Sequence, residues 1–333
     1  MAARNLVLAG DIGGTKTNLA LFSVRGEKLH AESARTFQSK EYSGLTPILK
    51  EFGDSQRIEA ACFGIAGPVV DGRVKTTNLP WIIDTEQLRR ALKLQAVHLL
   101  NDLEASAFGL FTLEDDEFFT LNDGEMRQAG NKALIAAGTG LGQAILYDDG
   151  HHFRPIASEG GHGDYAPRSE IEIELLRYLT ARFGHVSYER VISGPGLVNI
   201  YHFLKEARGM AEPAALAARF AAGEDAGAVI SQAALANEFE ICVHALDLFA
   251  SAYGAEAGNL ALRAKSVRGL YVGGGIAPKI VAKLKDGAFM RAFTEKGRYT
   301  DFLKMVPVQV VLNERAALRG AAYYAAFVSG DEG

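Results

Sequence analysis

The sequence predicts two α/β domains, each with the element order βββαβαβα, and three observations support this fold class. The segment LVLAGDIGG, starting at Leu6, aligns without gaps with LIAAGTGLG, starting at Leu134, so the motif recurs 128 residues later. In both copies a strand follows the glycines, then a turn and a third extended segment. The chain has 333 residues, more than a single core of ordinary size needs. An internal repeat determines architecture, and two such domains are expected to enclose a cleft between them.

The first copy continues with alternating helix and strand signals, and Asp84 is expected to cap the helix that follows it. The predicted elements are a third extended segment over Lys28–Phe37, a helix near Tyr42–Phe52, a strand buried on both faces over Ile58–Ile65, a short edge strand within Val69–Thr76, a loop over Asn78–Trp81, a helix over Thr85–Leu92, a strand over Ala96–Leu100 and a helix from Leu103 to about Phe111.

The second copy repeats this order after an acidic, irregular segment, residues 113–131, which is expected to cross between domains. Its predicted elements are three strands over Lys132–Ala157, a helix over Ser169–Arg182, a strand over Val267–Val272, a helix after Gly275, a strand over Val306–Leu312 and a helix over Glu314–Val328. We therefore expect a small domain over residues 1–112, completed by the C-terminal helix 314–328. A large domain over residues 113–313 would carry an insertion of helices at about 194–264.

Composition excludes several classes of function. The net charge is −5, from 35 basic and 40 acidic residues, and no basic cluster stands out, so nucleic acid and anionic membranes are not expected as partners. No apolar segment approaches the eighteen residues of a membrane span, and the N-terminal apolar run is too short for a signal peptide. Cys62 and Cys242 lie in apolar surroundings 180 residues apart, which favours buried thiols over a disulfide or zinc site. A cytoplasmic location is expected.

Glycine-rich turns are the first candidate site. Successive glycines allow backbone amides to converge on anionic oxygen, which favours phosphate at Gly10–Thr15 and at Gly138–Gly142. Asp11 stands where it could hold Mg²⁺ through water. The alternative is an ordinary glycine turn. Neither turn is a Walker A loop, since no Gly-Lys-Ser/Thr follows, and neither is a Rossmann fingerprint, since the glycines precede a strand. Gly273–Gly275 ends a strand before a helix, which also favours a nucleotide.

Polar residues after strands form the second candidate site. Asn101 and Asp102 lie where a buried strand meets a helix, a position at which α/β sheets place ligand groups, although Asp102 could be only the helix N-cap. The loop Glu159–Asp164 is dense in hydrogen-bonding groups. Glu159 and His162 could bind a metal, but no third ligand has convincing spacing, so hydroxyl recognition fits better. Glu189 precedes a helix that Pro195 would begin, and by itself it could be a surface residue.

The motifs together resemble those of bacterial ATP-dependent glucokinases of the hexokinase/actin-like superfamily, which have ribonuclease H-like domains. The segments that carry the resemblance are GDIGGT at 10–15, TTNLPW at 76–81, ND at 101–102, GTGLG at 138–142, EGGHGD at 159–164, GHVSYERVISGPGLVNIY at 184–201 and GGGIAPK at 273–279. The resemblance covers nearly the whole chain, and the segment beginning at Gly184 is its most distinctive part.

The resemblance implies a function and roles for individual residues. Glucose would be phosphorylated at its 6-hydroxyl by MgATP, with Asp102 as catalytic base, in a protein that is commonly a homodimer. The implied glucose ligands are Asn101, Asp102, Glu159, His162 and Glu189. The implied ATP-binding residues are Gly10, Asp11, Ile12, Gly13, Gly14, Thr15, Gly138, Thr139, Gly140, Gly273, Gly274 and Gly275, and Asp11 would hold Mg²⁺ through water.

Alternatives remain at this point. The enzyme could act on another hexose, or use polyphosphate in place of ATP. An actin-like ATPase would share the duplicated glycine turns but would not need the loops around Glu159 and Glu189. Related sugar kinases and repressors carry a cysteine-rich zinc loop, but Gly163–Val191 contains no cysteine, and no helix-turn-helix precedes Leu6.

Overall fold

The computed structural model describes residues 5–53, 58–76, 79–125 and 127–329. The chain folds into two units. One unit is formed by the chain up to Asp115 together with the chain from Asn313 onward, and the other by Asp116–Leu312. Within the described ranges, no helix is both long enough and apolar enough to span a membrane.

The first unit is built on a five-stranded sheet with a small two-stranded sheet beside its helices. Its strands are β1 (Leu6–Ile12), β2 (Lys16–Arg25), β3 (Lys28–Gln38), β4 (Ala60–Ile65), β5 (Arg73–Lys75), β6 (Ile82–Asp84) and β7 (Val97–Asn101). Its first helices are α1 (Leu45–Phe52), α2 (Thr85–Leu92) and α3 (Asp102–Gly109). The short edge strand predicted within Val69–Thr76 is β5, which pairs with β6 in the small sheet and not with the five-stranded sheet.

The second unit contains the larger sheet and most of the helices. Its strands are β8 (Phe118–Asn122), β9 (Lys132–Ala137), β10 (Leu141–Asp148), β11 (Phe153–Ser158), β12 (Leu270–Gly273) and β13 (Val308–Val311). Its helices are α4 (Glu170–Phe183), α5 (Gly194–Glu206), α6 (Ala214–Ala221), α7 (Ala226–Leu235), α8 (Glu240–Ala264), α9 (Val281–Leu284), α10 (Ala288–Thr294) and α11 (Thr300–Lys304). The chain then returns to the first unit as α12 (Ala316–Tyr323), which continues as a π-helical turn to Val328.

The two sheets repeat one topology. The strand order is β3-β2-β1-β4-β7 in the first sheet and β11-β10-β9-β12-β13-β8 in the second. In the first sheet, β2 is antiparallel to both β1 and β3, and β4 is parallel to both β1 and β7. In the second sheet, β10 is antiparallel to both β9 and β11, and β12 is parallel to both β9 and β13. The βββαβαβα prediction is therefore confirmed. The second sheet also has β8 at its edge, antiparallel to β13.

Two details of the sequence prediction are wrong. The acidic segment 113–131 is not wholly irregular, because it contains β8, which is stabilised by pairing with β13 far along the chain. The helix expected after Gly275 is short: a 3-10 turn over Ala277–Ile280 precedes the four residues of α9. Both errors arise because local composition carries little information about pairing and packing partners.

Alternating side chains of the first sheet enter different cores. Leu8 packs with α1 and α2 on one face, whereas Val7 and Ala9 pack with α3 and α12 on the other. This period of two is the ordinary geometry of a strand. The helices on both faces leave the carboxyl ends of β1, β4 and β7 as an edge at which polar groups can collect.

Candidate active site

The first polar group lies where β7 gives way to α3. Asn101 is the N-cap of α3: its Oδ1 accepts from the Leu103 amide at 2.9 Å, and its own amide donates to Glu104 Oε2 at 3.0 Å. This reciprocal pair is a capping box. The alternative that Asp102 is the N-cap is therefore wrong. Asp102 is the first helical residue, where the amino-terminal end of the helix dipole favours a carboxylate.

The junction between β7 and α3 is also fixed by a hydrogen bond to Gly67 and by close packing on β4. Asn101 Nδ2 donates to the Gly67 carbonyl at 3.1 Å, so both ends of this amide are fixed to backbone. Gly64 on β4 allows α3 to pack close to the strand. A Cβ at position 64 would lie only 2.7 Å from Ala105 Cβ. Burial raises the pKa of Glu104, although its bond from the Asn101 amide acts in the opposite direction. The consequence is a fixed start for the helix that carries Asp102.

Asp11 occupies the neighbouring end of the same sheet. It lies on β1 in register with Gly64 of β4, and its Oδ2 accepts from Asn18 Nδ2 at 3.3 Å. Burial raises the pKa of Asp11, and within the described ranges no lysine, arginine or histidine forms an ion pair with it. A partly buried carboxylate that lacks a cationic partner fits a site for a hydrated divalent cation.

The turn after Asp11 is partly an ordinary glycine turn. The Gly13 amide donates to the Lys16 carbonyl at 2.9 Å, and Ser39 Oγ donates to the Gly13 carbonyl at 2.8 Å. Gly10 lies within β1, and a Cβ there would approach the Phe63 ring to 2.5 Å. Packing against that ring is therefore one reason for glycine at position 10, whatever it does for a nucleotide.

The second unit brings two of the predicted glycine turns together. Gly138 follows β9 and Gly273 ends β12, and these strands are parallel neighbours. Gly274 has φ +81°, and a Cβ there would lie 2.3 Å from the Ala137 carbonyl oxygen. In contrast, a Cβ at Gly138 or Gly275 would meet nothing within 4 Å. Gly274 is thus required for close packing, whereas Gly138 and Gly275 leave accessible backbone beside it.

The amino terminus of α5 joins these turns. The Gly194 amide donates to the Gly138 carbonyl at 2.8 Å, and Ser193 caps the helix by accepting from the Gly196 amide at 2.9 Å. Pro195 stands at the second helical position, one residue later than the sequence predicted, because the helix begins at Gly194. Sequence reasoning did not assign Gly194 to the phosphate turns. The sequence shows a glycine at position 194, but it does not show the hydrogen bond that joins Gly194 to Gly138.

The polar loops gather around Leu141, the first residue of β10. Glu189 Oε2 accepts from the Leu141 amide at 3.0 Å. Gly161 packs against the same residue so closely that a Cβ there would lie 1.9 Å from the Leu141 carbonyl oxygen. Glu159 and His162 flank Gly161, with His162 Nε2 and Glu159 Oε2 3.9 Å apart, and both side chains are exposed. The turn that carries Glu159 and His162 and the turn that carries Glu189 therefore meet at Leu141.

The predicted residues fall into two sets, one on each unit. Asp11, Asn101 and Asp102 lie at the carboxyl ends of strands in the first unit. The second set, on the other unit, comprises Gly138, Thr139, Gly140, Glu159, His162, Glu189, Gly273, Gly274 and Gly275. Thr77 and Asn78, in the motif TTNLPW at 76–81, lie outside the described residues. The described residues contain no cluster of three or more carboxylate, histidine or cysteine side chains able to hold a metal.

Comparison with known proteins adds an independent finding. A family model described as Glucokinase matches residues 8–327. The chain belongs to the glucokinase family. Membership places it among kinases that act on glucose, and the predicted family and fold class are confirmed.

Individual relatives agree with the family model. The glucokinase of Nostoc sp. is 41% identical over 338 residues, covering 96% of this chain and 99% of that protein. The crystal structure of a glucokinase from an Antarctic psychrotroph has a TM-score of 0.83 at 29% identity, covering 96% and 98% of the two chains. A ROK family glucokinase from Streptomyces griseus, solved with glucose and AMPPNP, has a TM-score of 0.65 at 23% identity over 96% and 99% of the chains, a likeness of fold.

Proposed function

We propose that this protein transfers the γ-phosphoryl group of ATP to the 6-hydroxyl of glucose, giving glucose 6-phosphate and ADP. The observation that carries the proposal is the position of Asp102 in a chain of the glucokinase family. Asp102 is the first residue of α3, directly after an N-cap that is fixed on both sides, and its Oδ1 accepts from the Leu103 amide at 3.0 Å. A rigid carboxylate is what orientation of a hydroxyl nucleophile requires.

Asp102 is proposed as the base that accepts the proton of the 6-hydroxyl as that oxygen attacks the γ-phosphorus. Asn101, Glu159, His162 and Glu189 are proposed as hydrogen-bonding partners of the sugar hydroxyls. The Asn101 amide uses one N–H and one lone pair in its backbone bonds and keeps one of each for a ligand. A site that satisfies hydroxyls rejects analogues that lack one, by about 10⁴-fold or more in favourable cases.

The glycine turns are proposed to bind the nucleotide. Open backbone at Gly138 lies beside the capped amino terminus of α5, and helix amino termini favour phosphate. Gly275 offers open backbone after β12, the parallel neighbour of the strand that Gly138 follows. Gly10, Ile12, Gly13, Gly14 and Thr15 are proposed to contribute from the first unit, as the family resemblance implies. Asp11 would hold Mg²⁺ through water, and the cation would neutralise charge on the phosphates.

The Asp102→Asn variant tests the catalytic assignment. The amide keeps the shape of the side chain but is far too weak a base, so turnover should fall by about 10²-fold or more. Glucose dissociation, measured by titration calorimetry, should change little. The matched control is Asp71→Asn, at an exposed position with φ +49°, a conformation that asparagine adopts readily. Near-normal turnover of Asp102→Asn would remove Asp102 from the role of base.

Substrate range and assembly are part of the same proposal. Glucose should be preferred over mannose and amino sugars, and ATP over polyphosphate, in a coupled assay across sugars and donors. ATP hydrolysis independent of sugar, or polymerisation on adding ATP, would instead favour an actin-like ATPase. We also propose a homodimer that acts in the cytoplasm, on the strength of the family resemblance. Light scattering of the purified protein measures its oligomeric state.

A further inference from the structure

A fully buried carboxylate lies in the second unit, away from the residues assigned above. Glu256 is in the middle of α8, and no part of its side chain is exposed. It forms an ion pair with Arg263 and accepts hydrogen bonds from Gln143 Nε2 at 2.7 Å and Asn259 Nδ2 at 2.9 Å. Since a buried charge is costly unless it is paired and hydrogen-bonded, this arrangement needs all of its partners in place.

The first partner connects Glu256 to the loop that carries Glu159 and His162. Gln143 lies on β10 and is almost entirely buried. Its amide packs directly on the next loop, because a Cβ at Gly160 would lie 2.4 Å from Gln143 Oε1. Gly160 follows Glu159 and begins the 3-10 turn that ends at His162. The position of this turn therefore depends on the orientation that Glu256 gives to the Gln143 amide.

The second partner connects Glu256 to the turn that carries Glu189. Asn259 Nδ2 also donates to the Tyr188 hydroxyl at 3.0 Å, and Asn259 Oδ1 accepts from Lys296 Nζ at 2.7 Å. Burial raises the pKa of Tyr188 to about 12, so its hydroxyl stays protonated. Tyr188 begins the 3-10 turn that contains Glu189. Its backbone amide donates to the Gly163 carbonyl at 3.0 Å, so the two turns are also joined directly.

We propose that Glu256 is a positioning residue for sugar recognition: through Gln143 on one side and Asn259 and Tyr188 on the other, it sets the two turns that carry the glucose ligands. The inference rests on the proposed function, since it takes Glu159, His162 and Glu189 as those ligands. The carboxylate has two oxygens and each serves one of the two connections. A glutamine at this position has one acceptor oxygen and one donor NH₂ group. Either the Gln143 amide or the Asn259 amide would then face a donor where it now finds an acceptor.

The Glu256→Gln variant tests the inference, because it keeps the volume and removes the charge and one acceptor. In metal sites, loss of a residue that orients the ligands changes metal affinity or activity by about tenfold to a hundredfold, and the same reasoning applies to side chains that orient hydroxyl-binding loops. We therefore expect the dissociation constant and KM for glucose to rise by about tenfold or more. The KM for ATP should change much less than that for glucose, since the connections reach the sugar loops directly and reach Gly140 only through Glu189, which lies beside it.

The control is Asp247→Asn, a carboxylate on the same helix whose ion pair, within the part of the chain that the structure describes, is with Lys283 and not with a residue of either turn. It should leave the constants for glucose and ATP unchanged. Because removal of a buried charge can prevent folding, Tyr188→Phe provides a milder test. It removes only the hydroxyl that ends the second connection, and glucose affinity should fall about threefold to tenfold, in line with the loss of one hydrogen bond.

Three outcomes would overturn the inference. One is unchanged glucose affinity in both Glu256→Gln and Tyr188→Phe. A second is an equal loss for glucose and ATP together with a lower thermal midpoint, which would mean that the network only stabilises the fold. Glu159→Ala, measured in parallel, gives the third. If that variant binds glucose normally, the sugar-loop assignment in the proposed function fails and the inference fails with it. If Glu159→Ala weakens glucose binding and the first or second outcome is found, the positioning role alone is wrong.

Discussion

Replacing Gly320 with alanine should reduce both stability and turnover, because this glycine is where α12 crosses α3. A Cβ at Gly320 would lie 1.7 Å from the Ala105 carbonyl oxygen and 2.4 Å from the Gly109 amide nitrogen. The contact is reciprocal, since a Cβ at Gly109 would lie 2.1 Å from the Ala316 carbonyl oxygen. All of these neighbours are backbone atoms, so no side-chain rotation can relieve the overlap.

The size of the effect follows from the separation that is required. Ordinary van der Waals contact begins at 3.4 Å, so the helices must move apart by 3.4 minus 1.7, or 1.7 Å, at this point. Overpacking of this kind costs about 1–3 kcal/mol. Helix propensity opposes it, since alanine is favoured over glycine by about 1 kcal/mol. Ala105 lies one turn from Asp102, and a displacement of about 1 Å at a reacting group can reduce turnover by about 10²-fold.

The assay measures kcat at saturating glucose and ATP, with the unfolding midpoint in urea measured on the same preparation. We expect kcat to fall by about 10²-fold and the midpoint to decrease. Gly44→Ala is the control for kcat, because it makes the same substitution where φ is 170° and nothing lies within 4 Å of the new Cβ. Gly44 is the N-cap of α1, where alanine is less favourable than glycine, so this variant shows what a small loss of stability away from α3 does to kcat. Wild-type kcat and midpoint in Gly320→Ala would show that the crossing of these two helices does not set the position of Asp102.

Three further predictions concern single groups. Asp11→Asn should leave the free energy of unfolding at pH 7 unchanged or higher, because burial raises the pKa of this carboxyl and its ionised form is unfavourable. The Mg²⁺ concentration for half-maximal activity should rise by about tenfold or more, and an unchanged requirement would contradict the metal role. Gly274→Ala combines a strained φ of +81° with a Cβ 2.3 Å from the Ala137 carbonyl oxygen. The KM for ATP should increase by about tenfold or more, and wild-type kinetics would refute the close approach. Burial lowers the pKa of Lys296 from 10.5 to about 8, so the folded chain binds fewer protons there than the unfolded chain between these values. The free energy of unfolding should therefore rise with pH from about 8 to 10.5, and Lys296→Met should flatten that rise in urea titrations. If the free energy of unfolding rises with pH equally in the wild type and in Lys296→Met, the lowered pKa of Lys296 is contradicted.

Most secondary structure could be predicted because its causes are local. The continuous apolar segment at Ala60–Ile65 forms a strand whose residues are all buried, as the sequence predicted. Asp84 caps α2 by accepting from the Gln87 amide at 3.0 Å, again as predicted from one polar residue before a helical pattern. The repeated strand order also followed from sequence, because two copies of one motif fold into sheets with the same order.

The position of the candidate site residues was only partly accessible from sequence. Strand ends and glycine turns indicated which residues lie at the carboxyl edges of the sheets, and the motifs indicated the family. They could not show that Asn101, and not Asp102, caps α3, because both residue types favour that position. Nor could they show that the Leu141 backbone joins the loops of Gly161 and Glu189, which lie 28 residues apart.

The sequence by itself determined the fold class, the duplication, the family and the segments that carry polar groups, since these depend on periodicity and spacing along the chain. Only the tertiary structure showed that β8 pairs with β13 and that Gly320 allows α12 to pack closely on α3. It also showed that Glu256 is connected to the turn of Glu159 and to the turn of Glu189. The physical reason is that each of these features is an interaction between residues far apart in the chain. Its free energy depends on which backbone and side-chain atoms packing brings within a few ångströms, and no local pattern records that.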